Sequence, residues 1–112
     1  MKPTPEVRKK LLETGKVPCF LTLYVYHLFI PATEWHHIIP RSRGGCDKWD
    51  NLMPINRMQH KRITGMWNGV EWREPLIRLA FNWGTQMMQN NYGKNWQEGL
   101  LSREVVRNGI QK

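Results

Sequence analysis

Residues 36–45 read HHIIPRSRGG, and the residues DNL follow at positions 50–52. Two adjacent histidines precede a polar, Gly-rich turn, and a third histidine, His60, stands nine positions after Asn51. A single histidine is usually structural, but three grouped around such a turn indicate a functional site. On a strand, His36 and His37 would point to opposite faces, so serving one site would require a strand end, a bulge or a metal.

The flanking segments predict the elements around this stretch. The run FLTLYVYHLFI at residues 20–30 is rich in β-branched and aromatic residues and lies between two prolines, which favours a strand. A turn would then lead into a second strand at residues 34–39. After the Gly-rich loop, a helix is predicted to begin at Pro54 and to fade near Asn68. The predicted order is hairpin, loop, helix.

Both ends of the chain are predicted to be helical. Thr4 can cap a short helix, Pro5 suits its first position, and Gly15 suits its end. In the last third, apolar residues at helical spacing predict a wide buried face, with breaks near residues 90–93 and one or two short helices after them. The central stripe is Leu76, Ala80, Trp83 and Met87, with Ile77, Phe81 and Met88 beside it.

Composition narrows the class of protein. A chain of 112 residues is expected to form one domain, and its formal net charge of +8 favours polyanionic partners. Many soluble proteins carry similar charge, so charge alone does not identify nucleic acid. Cys19 and Cys46 cannot form a four-cysteine zinc site. The N-terminus shows no apolar signal-peptide core, and the longest apolar stretch is too short to span a bilayer, so we predict a cytoplasmic protein without membrane contact.

The stretch HHIIPRSRGG, followed by DNL and by His60, resembles the HNH (His-Asn-His) endonuclease motif. The resemblance covers roughly residues 20–64. It implies an α+β fold with a ββα-metal core, in which a β-hairpin and a helix grip one divalent metal ion. An N-terminal helix and C-terminal helices would surround this core. We expect a single domain, with the motif core at residues 20–64 and a helical extension at residues 65–112.

The resemblance also implies a role for each motif residue. His36 stands at the position of the first metal ligand, and His60 at that of the second. His37 stands at the general base, and Asn51 at the central asparagine that ties the loop together and helps to orient the base. A neutral imidazole can take a proton from water at pH 7, and a divalent cation can stabilise the charge on the phosphate and on the departing 3′ oxygen.

The sequence departs from the family pattern at several positions. Many members carry cysteine pairs that bind a structural zinc, but Asn56 and Gln59 stand at the second pair's positions and the first pair is absent. Thr64 stands where a third metal-binding histidine would be, so a three-histidine site is not supported. The implied ion is Mg²⁺ or Mn²⁺, and a first ligand of the His36 type also suits Zn²⁺ or Ni²⁺.

Basic residues cluster around the motif and are candidates for contacts to the DNA backbone. For any one of them, a solvated charged helix face is nearly as good an interpretation. Glu34 could orient His36 or lie on the surface, and His27 is interpreted as structural. The candidate DNA-binding residues are Arg41, Arg43, Arg57, Lys61 and Arg62, and Lys48 belongs to the same cluster.

Three functions remain open at this point. The leading one is a metal-dependent DNA endonuclease that nicks one strand per event. Double-strand cleavage would then need a homodimer or two successive cleavage events. The second is a non-catalytic module that binds nucleic acid or a partner on an HNH scaffold. The third is a nuclease acting on RNA, which is less favoured than DNA, or working as a subunit of a larger complex. The small size suggests a phage or mobile-element origin.

Overall fold

The computed structural model of the chain describes residues 1–63 and 74–110. Over these residues, helices surround a small two-stranded antiparallel sheet, which agrees with the predicted α+β class. No helix among them is both long and apolar enough to cross a membrane. The elements are α1 (Pro5–Glu13), α2 (Phe20–Tyr26), β1 (Glu34–His37), β2 (Leu52–Ile55), α3 (Arg57–Ile63), α4 (Glu74–Tyr92) and α5 (Trp96–Ile110).

The first helix forms as predicted. The Thr4 hydroxyl accepts a hydrogen bond from the backbone N–H of Val7 at 3.2 Å, and Pro5 occupies the first helical position. Gly15 follows the helix with a φ of +68°, a conformation that glycine adopts without the steric cost of a Cβ. Leu11 is fully buried on the inner face of this helix, so α1 is fixed to the core by its apolar side.

The predicted strand at residues 20–30 is wrong, because α2 occupies most of this segment. The Cys19 sulfur accepts from the backbone N–H of Thr22, and His27 ends the helix in the left-handed conformation with a φ of 56°. A short apolar run suits a buried helix as well as a buried strand, and here packing against α4 decides between them. Only an isolated antiparallel bridge between Pro18 and Pro31 remains of the expected strand pairing.

The hairpin therefore has different partners from those predicted. The strand expected at residues 34–39 is present as β1, which pairs with β2 and not with residues 20–30. His36 lies opposite Met53 and His37 lies opposite Leu52. Two short 3-10 turns, Arg41–Arg43 and Trp49–Asn51, shape the long loop that joins the strands.

Helix α3 begins later than predicted, since Pro54 belongs to β2. Asn56 precedes the helix, and its side-chain oxygen accepts from the backbone N–H of Gln59 at 2.8 Å. The amides of Asn56 and Gln59 also donate to the hydroxyl of Thr22 on α2, at 3.3 and 3.4 Å. The two positions where zinc-binding cysteines would stand thus attach α3 to α2 by hydrogen bonds. The predicted continuation of this helix to residue 68 lies outside the described residues.

Helix α4 supplies the largest apolar face, but its buried side is shifted from the predicted stripe. Trp83 is 41% exposed, whereas Ile77, Ala80, Phe81 and Met88 are buried. The predicted break is at Gly93, after which α5 runs as one helix and not as two short ones. Trp96 is buried at the start of α5 and belongs to the core. Trp67 and Trp72 lie outside the described residues.

The α2–α4 contact depends on one close approach. A Cβ built on Gly84 would lie 2.5 Å from Cγ of Phe20, which is much closer than non-bonded carbons tolerate. The Phe20 ring is fully buried and also contacts Phe81 and Trp96, with ring centroids 6.4 Å apart in each pair. The core therefore lies between α2, α4 and α5 and includes Met53 and Ile55 of β2, while the residues of β1, which carry the histidines, are only partly buried.

Candidate active site

Strand β1 presents its side chains alternately to two sides of the sheet. Glu34 and His36 share one side with helix α3, as their contacts to His60 below establish. Trp35 lies on the other side, where its indole N–H donates to the backbone oxygen of Arg8 at 3.2 Å. The side chains of His36 and His37 therefore leave β1 on opposite faces of the strand.

His36 and His60 form the first half of the site. Their ring centroids are 5.2 Å apart, and the rings meet edge to face. The Nδ1 atom of His60 lies 2.6 Å from Oε2 of Glu34. Glu34 therefore contacts His60, and not His36 as one of the two sequence interpretations proposed. A carboxylate in this position fixes both the orientation and the tautomer of an imidazole.

The surroundings of His36 hold its imidazole in the neutral form. Burial, and after it the positive charges of His60 and His37, lower its pKa from 6.5 to about 4. A neutral imidazole has a lone pair available for a metal ion at pH 7. In the folded protein His36 is therefore ready to act as a ligand across the neutral range.

This lowered pKa predicts how stability depends on pH in metal-free solution. Between about pH 6.5 and about pH 4 the unfolded chain binds a proton at His36 that the folded chain does not. The contribution of His36 to the free energy of unfolding is therefore fully present above pH 6.5 and is lost as the pH falls through this window. Because His36 is partly exposed, we expect a loss of about 2 kcal/mol in the free energy of unfolding.

Urea unfolding with a chelator present, at about pH 5 and about pH 7.5, measures this effect within the titration range. Replacing His36 with glutamine should reduce the difference between the two pH values, while other titrating groups contribute equally to both proteins. An unchanged difference in the variant would contradict the assignment.

The second half of the site is a pair formed by His37 and Asp47. The Nε2 atom of His37 lies 2.7 Å from Oδ1 of Asp47, a contact that sequence reasoning missed. Asp47 also accepts from Arg41, whose Nη2 lies 2.8 and 3.0 Å from the two carboxylate oxygens. The loop residue therefore connects the imidazole to a guanidinium. The signal available in the sequence was an aspartate two positions after Gly45, and its spacing to the histidine is not fixed.

Asp47 is charged throughout the neutral range. Hydrogen bonds from His37, and then from Arg41, hold the pKa of its carboxyl below the usual value of 3.8. A carboxylate accepting from Nε2–H leaves Nδ1 of His37 with the lone pair that a general base needs. As in other hydrolytic sites, a carboxylate at one ring nitrogen orients the imidazole so that the other nitrogen can accept a proton.

Asn51 holds the loop between the two strands. Its side-chain oxygen accepts from the N–H of Ile39 at 2.8 Å, and its amide donates to the carbonyl oxygens of Ile39 and Cys46 at 3.1 and 2.9 Å. The side chain is buried, so these bonds replace its contacts with water. Ile39 is two residues after His37 and Cys46 directly precedes Asp47, so one amide fixes the backbone beside both members of the pair.

The glycines of the motif are required by the same loop. Gly44 has a φ of +85°, and Gly45 donates its N–H to the carbonyl oxygen of Pro40 at 2.9 Å. A Cβ on Gly45 would lie 1.7 Å from the backbone oxygen of Ile39, so no side chain fits there. The Gly-Gly sequence thus allows the loop to close tightly enough for the Asn51 side chain to reach both Ile39 and Cys46.

The basic candidates lie in different surroundings. Arg41 is engaged with Asp47, whereas Arg62 donates to the hydroxyl of Tyr26 at 3.1 Å. Arg43 is exposed and lines a cleft of about 280 Å³ together with His36. Arg57 is exposed and Lys61 is half-buried on α3. Arg43 therefore shares a cleft with one of the paired imidazoles, while Arg41 contacts the other half of the site.

Comparison with known proteins identifies the class of domain. Residues 23–64 match the family model described as HNH endonuclease, which confirms the resemblance over somewhat more than a third of the chain. The match covers both halves of the site and implies a nuclease-type domain with a nucleic-acid substrate. Neither the curated proteins nor the solved structures gave a match to this chain.

The residues present fit the divalent metal ion that the family uses. His36 and His60 offer two imidazoles from neighbouring elements, one of them neutral by burial and the other oriented by Glu34. Among residues 1–63 and 74–110, no group of three or more His, Cys, Asp or Glu side chains could hold a metal by itself. Two protein ligands leave the remaining positions for water and substrate oxygens, which is the arrangement of a catalytic ion and not of a structural one.

Proposed function

We propose that this protein is a metal-dependent endonuclease that hydrolyses phosphodiester bonds of DNA, one strand at a time. The observation that carries the proposal is the His37–Asp47 pair, in which the last residue of β1 contacts the loop. His37 comes directly after His36, one of the two paired imidazoles. The HNH match over residues 23–64 supports the same reaction class. A net charge of +8 favours a polyanionic substrate.

In the proposed reaction, Nδ1 of His37 takes a proton from the attacking water. As the water oxygen bonds to phosphorus, the bond to the 3′ oxygen breaks, and that oxygen takes a proton from a solvent water, leaving a 5′ phosphate and a 3′ hydroxyl. Asp47 holds the imidazole through Nε2 and stabilises the positive charge that the ring gains. His36 and His60 would hold Mg²⁺ or Mn²⁺, or else Zn²⁺ or Ni²⁺, and the ion would supply charge stabilisation at the phosphate.

Asn51 acts on this reaction through the backbone and not through the substrate. Its three hydrogen bonds keep Ile39 and Cys46 in place, and these residues lie next to the catalytic pair in the chain. Such positioning matters because a proton transfer requires the base and the water to meet at hydrogen-bond distance.

Nicking of supercoiled plasmid tests the proposal. We expect the purified protein to convert supercoiled plasmid to the open circle with Mg²⁺ or Mn²⁺, with Zn²⁺ and Ni²⁺ as further arms, and to stop when EDTA is added. The products should carry 5′ phosphates, so a ligase should reseal them. If no metal supports nicking by a folded protein that binds these ions, the free-standing nuclease proposal fails.

A further inference from the structure

A cleft lies beside the His37–Asp47 pair and overlaps the basic cluster predicted to bind DNA at Arg41 and Lys48. It has a volume of about 410 Å³ and is formed by residues 2–5 and Arg8 on one side and by Arg41, Asp47 and Lys48 on the other. Two of its cationic residues, Lys2 and Arg8, stand outside the basic cluster predicted to bind DNA. Together with Arg41 and Lys48, four cationic residues line the cleft against the single carboxylate of Asp47.

Arg8 brings a partly buried positive charge to the wall of the cleft. Its Nε atom is inaccessible to solvent and has no hydrogen-bond partner among the described residues. A buried donor without a partner costs free energy, and the cost is larger for a charged group. Arg8 is half-buried on α1, and its backbone oxygen accepts from Trp35 of the strand that carries the histidines. An anion in the cleft would offset part of the cost of burying this guanidinium.

The cleft is connected to the catalytic pair through shared residues. Arg41 and Asp47 line the cleft, and the same Asp47 oxygen that contacts Arg41 lies 2.7 Å from His37. An anion bound by Arg8 and Lys48 would thus lie next to the general base and not across the molecule from it. In a polynucleotide, a phosphate at one position fixes where its neighbours in the strand lie.

We propose that this cleft binds a backbone phosphate of the DNA strand that is cleaved, next to the phosphate that His37 attacks. The inference rests on the proposed function and adds a positioning site for the substrate. Arg8 and Lys48 provide the contacts, while Arg41 lies between this phosphate and the catalytic pair. Contacts of this kind set the register of a strand without reading its sequence.

Binding of a short fluorescent DNA duplex, measured by anisotropy in EDTA, tests this site without cleavage. The variants are Arg8→Gln and Lys48→Gln, and the matched control is Lys10→Gln, which removes one positive charge from an exposed position on α1 outside the cleft. We expect each cleft variant to bind about fivefold more weakly and the control less than about twofold more weakly. The slope of log affinity against log salt should fall by about one in the cleft variants.

Circular dichroism identifies any variant that fails to fold, and Lys48, on an exposed loop, tests the site independently of Arg8. Equal weakening by cleft and control variants would overturn the inference, even if the protein nicks plasmid. The expected pattern of binding in a protein that nicks nothing would support the cleft while the nuclease proposal fails. Absence of DNA binding by the wild-type protein would overturn both.

Discussion

Replacing His37 with alanine is expected to lower the rate of plasmid nicking by about 10³-fold, because it removes the general base. The side chain is 20% exposed and lies at the end of a strand, so its loss leaves a small cleft and not a cavity in the core. Folding and metal binding should therefore stay close to wild type. Single-turnover nicking under excess protein measures the effect without interference from product release.

A matched control comes from the histidine outside the site. His27 ends α2 in the left-handed conformation, and asparagine tolerates that conformation well, so His27→Asn removes an imidazole without disturbing the helix end. This variant should nick at the wild-type rate. Nicking by His37→Ala within about threefold of wild type would contradict the assignment of the base, since base catalysis contributes far more than that.

Asp47 provides an independent check on the same pair. Asp47→Asn keeps the size of the side chain but removes the charge that orients His37, so we expect a loss of about 10- to 100-fold in the rate of nicking. The same change leaves Arg41 without its carboxylate partner and makes the surface more positive. DNA binding should therefore stay equal or become tighter while cleavage slows, and a purely structural role for Asp47 would not separate the two.

The sequence predicted the residue types of the site better than their arrangement. The motif placed His36 and His60 in one site, and the structure does bring their imidazoles together. The Gly-Gly pair indicated the tight loop. The partner of His37 could not be predicted, because the contact to Asp47 depends on how the loop folds back and not on a fixed spacing. Glu34 was assigned two alternative roles, and only the packing of α3 against β1 places it against His60.

The largest error in the fold has a physical reason. Residues 20–26 are apolar on nearly every position, so the pattern does not distinguish the period of a strand from that of a helix. What favours the helix is tertiary: a glycine on α4 lets the Phe20 ring approach closely, and Thr22 receives the amides of Asn56 and Gln59. With this segment helical, β1 pairs with residues 52–55, of which Pro54 and Ile55 had been predicted to begin the next helix.

The second large effect is expected at Asn51, which holds the loop between the two strands. Asn51→Ala removes one acceptor and two donated hydrogen bonds from a buried position, leaving the backbone groups of Ile39 and Cys46 without these partners. We expect a loss of about 2–4 kcal/mol in the free energy of unfolding, a large part of the stability of a small domain. Urea unfolding measures it, and Asn82→Ala, at an exposed position on α4, is the control.

Two further variants separate the loop from the chemistry of the amide. Asn51→Asp keeps the acceptor for the Ile39 N–H but places a carboxylate oxygen against two carbonyl oxygens, so it should lose about as much stability as alanine does. Gly45→Ala leaves Asn51 intact and opens the loop by a steric clash with the Ile39 oxygen. If Asn51 acts by holding this loop, both variants should also slow nicking, since Asp47 would lose its position beside His37. A fully stable Asn51→Ala protein would instead require that other contacts close the loop.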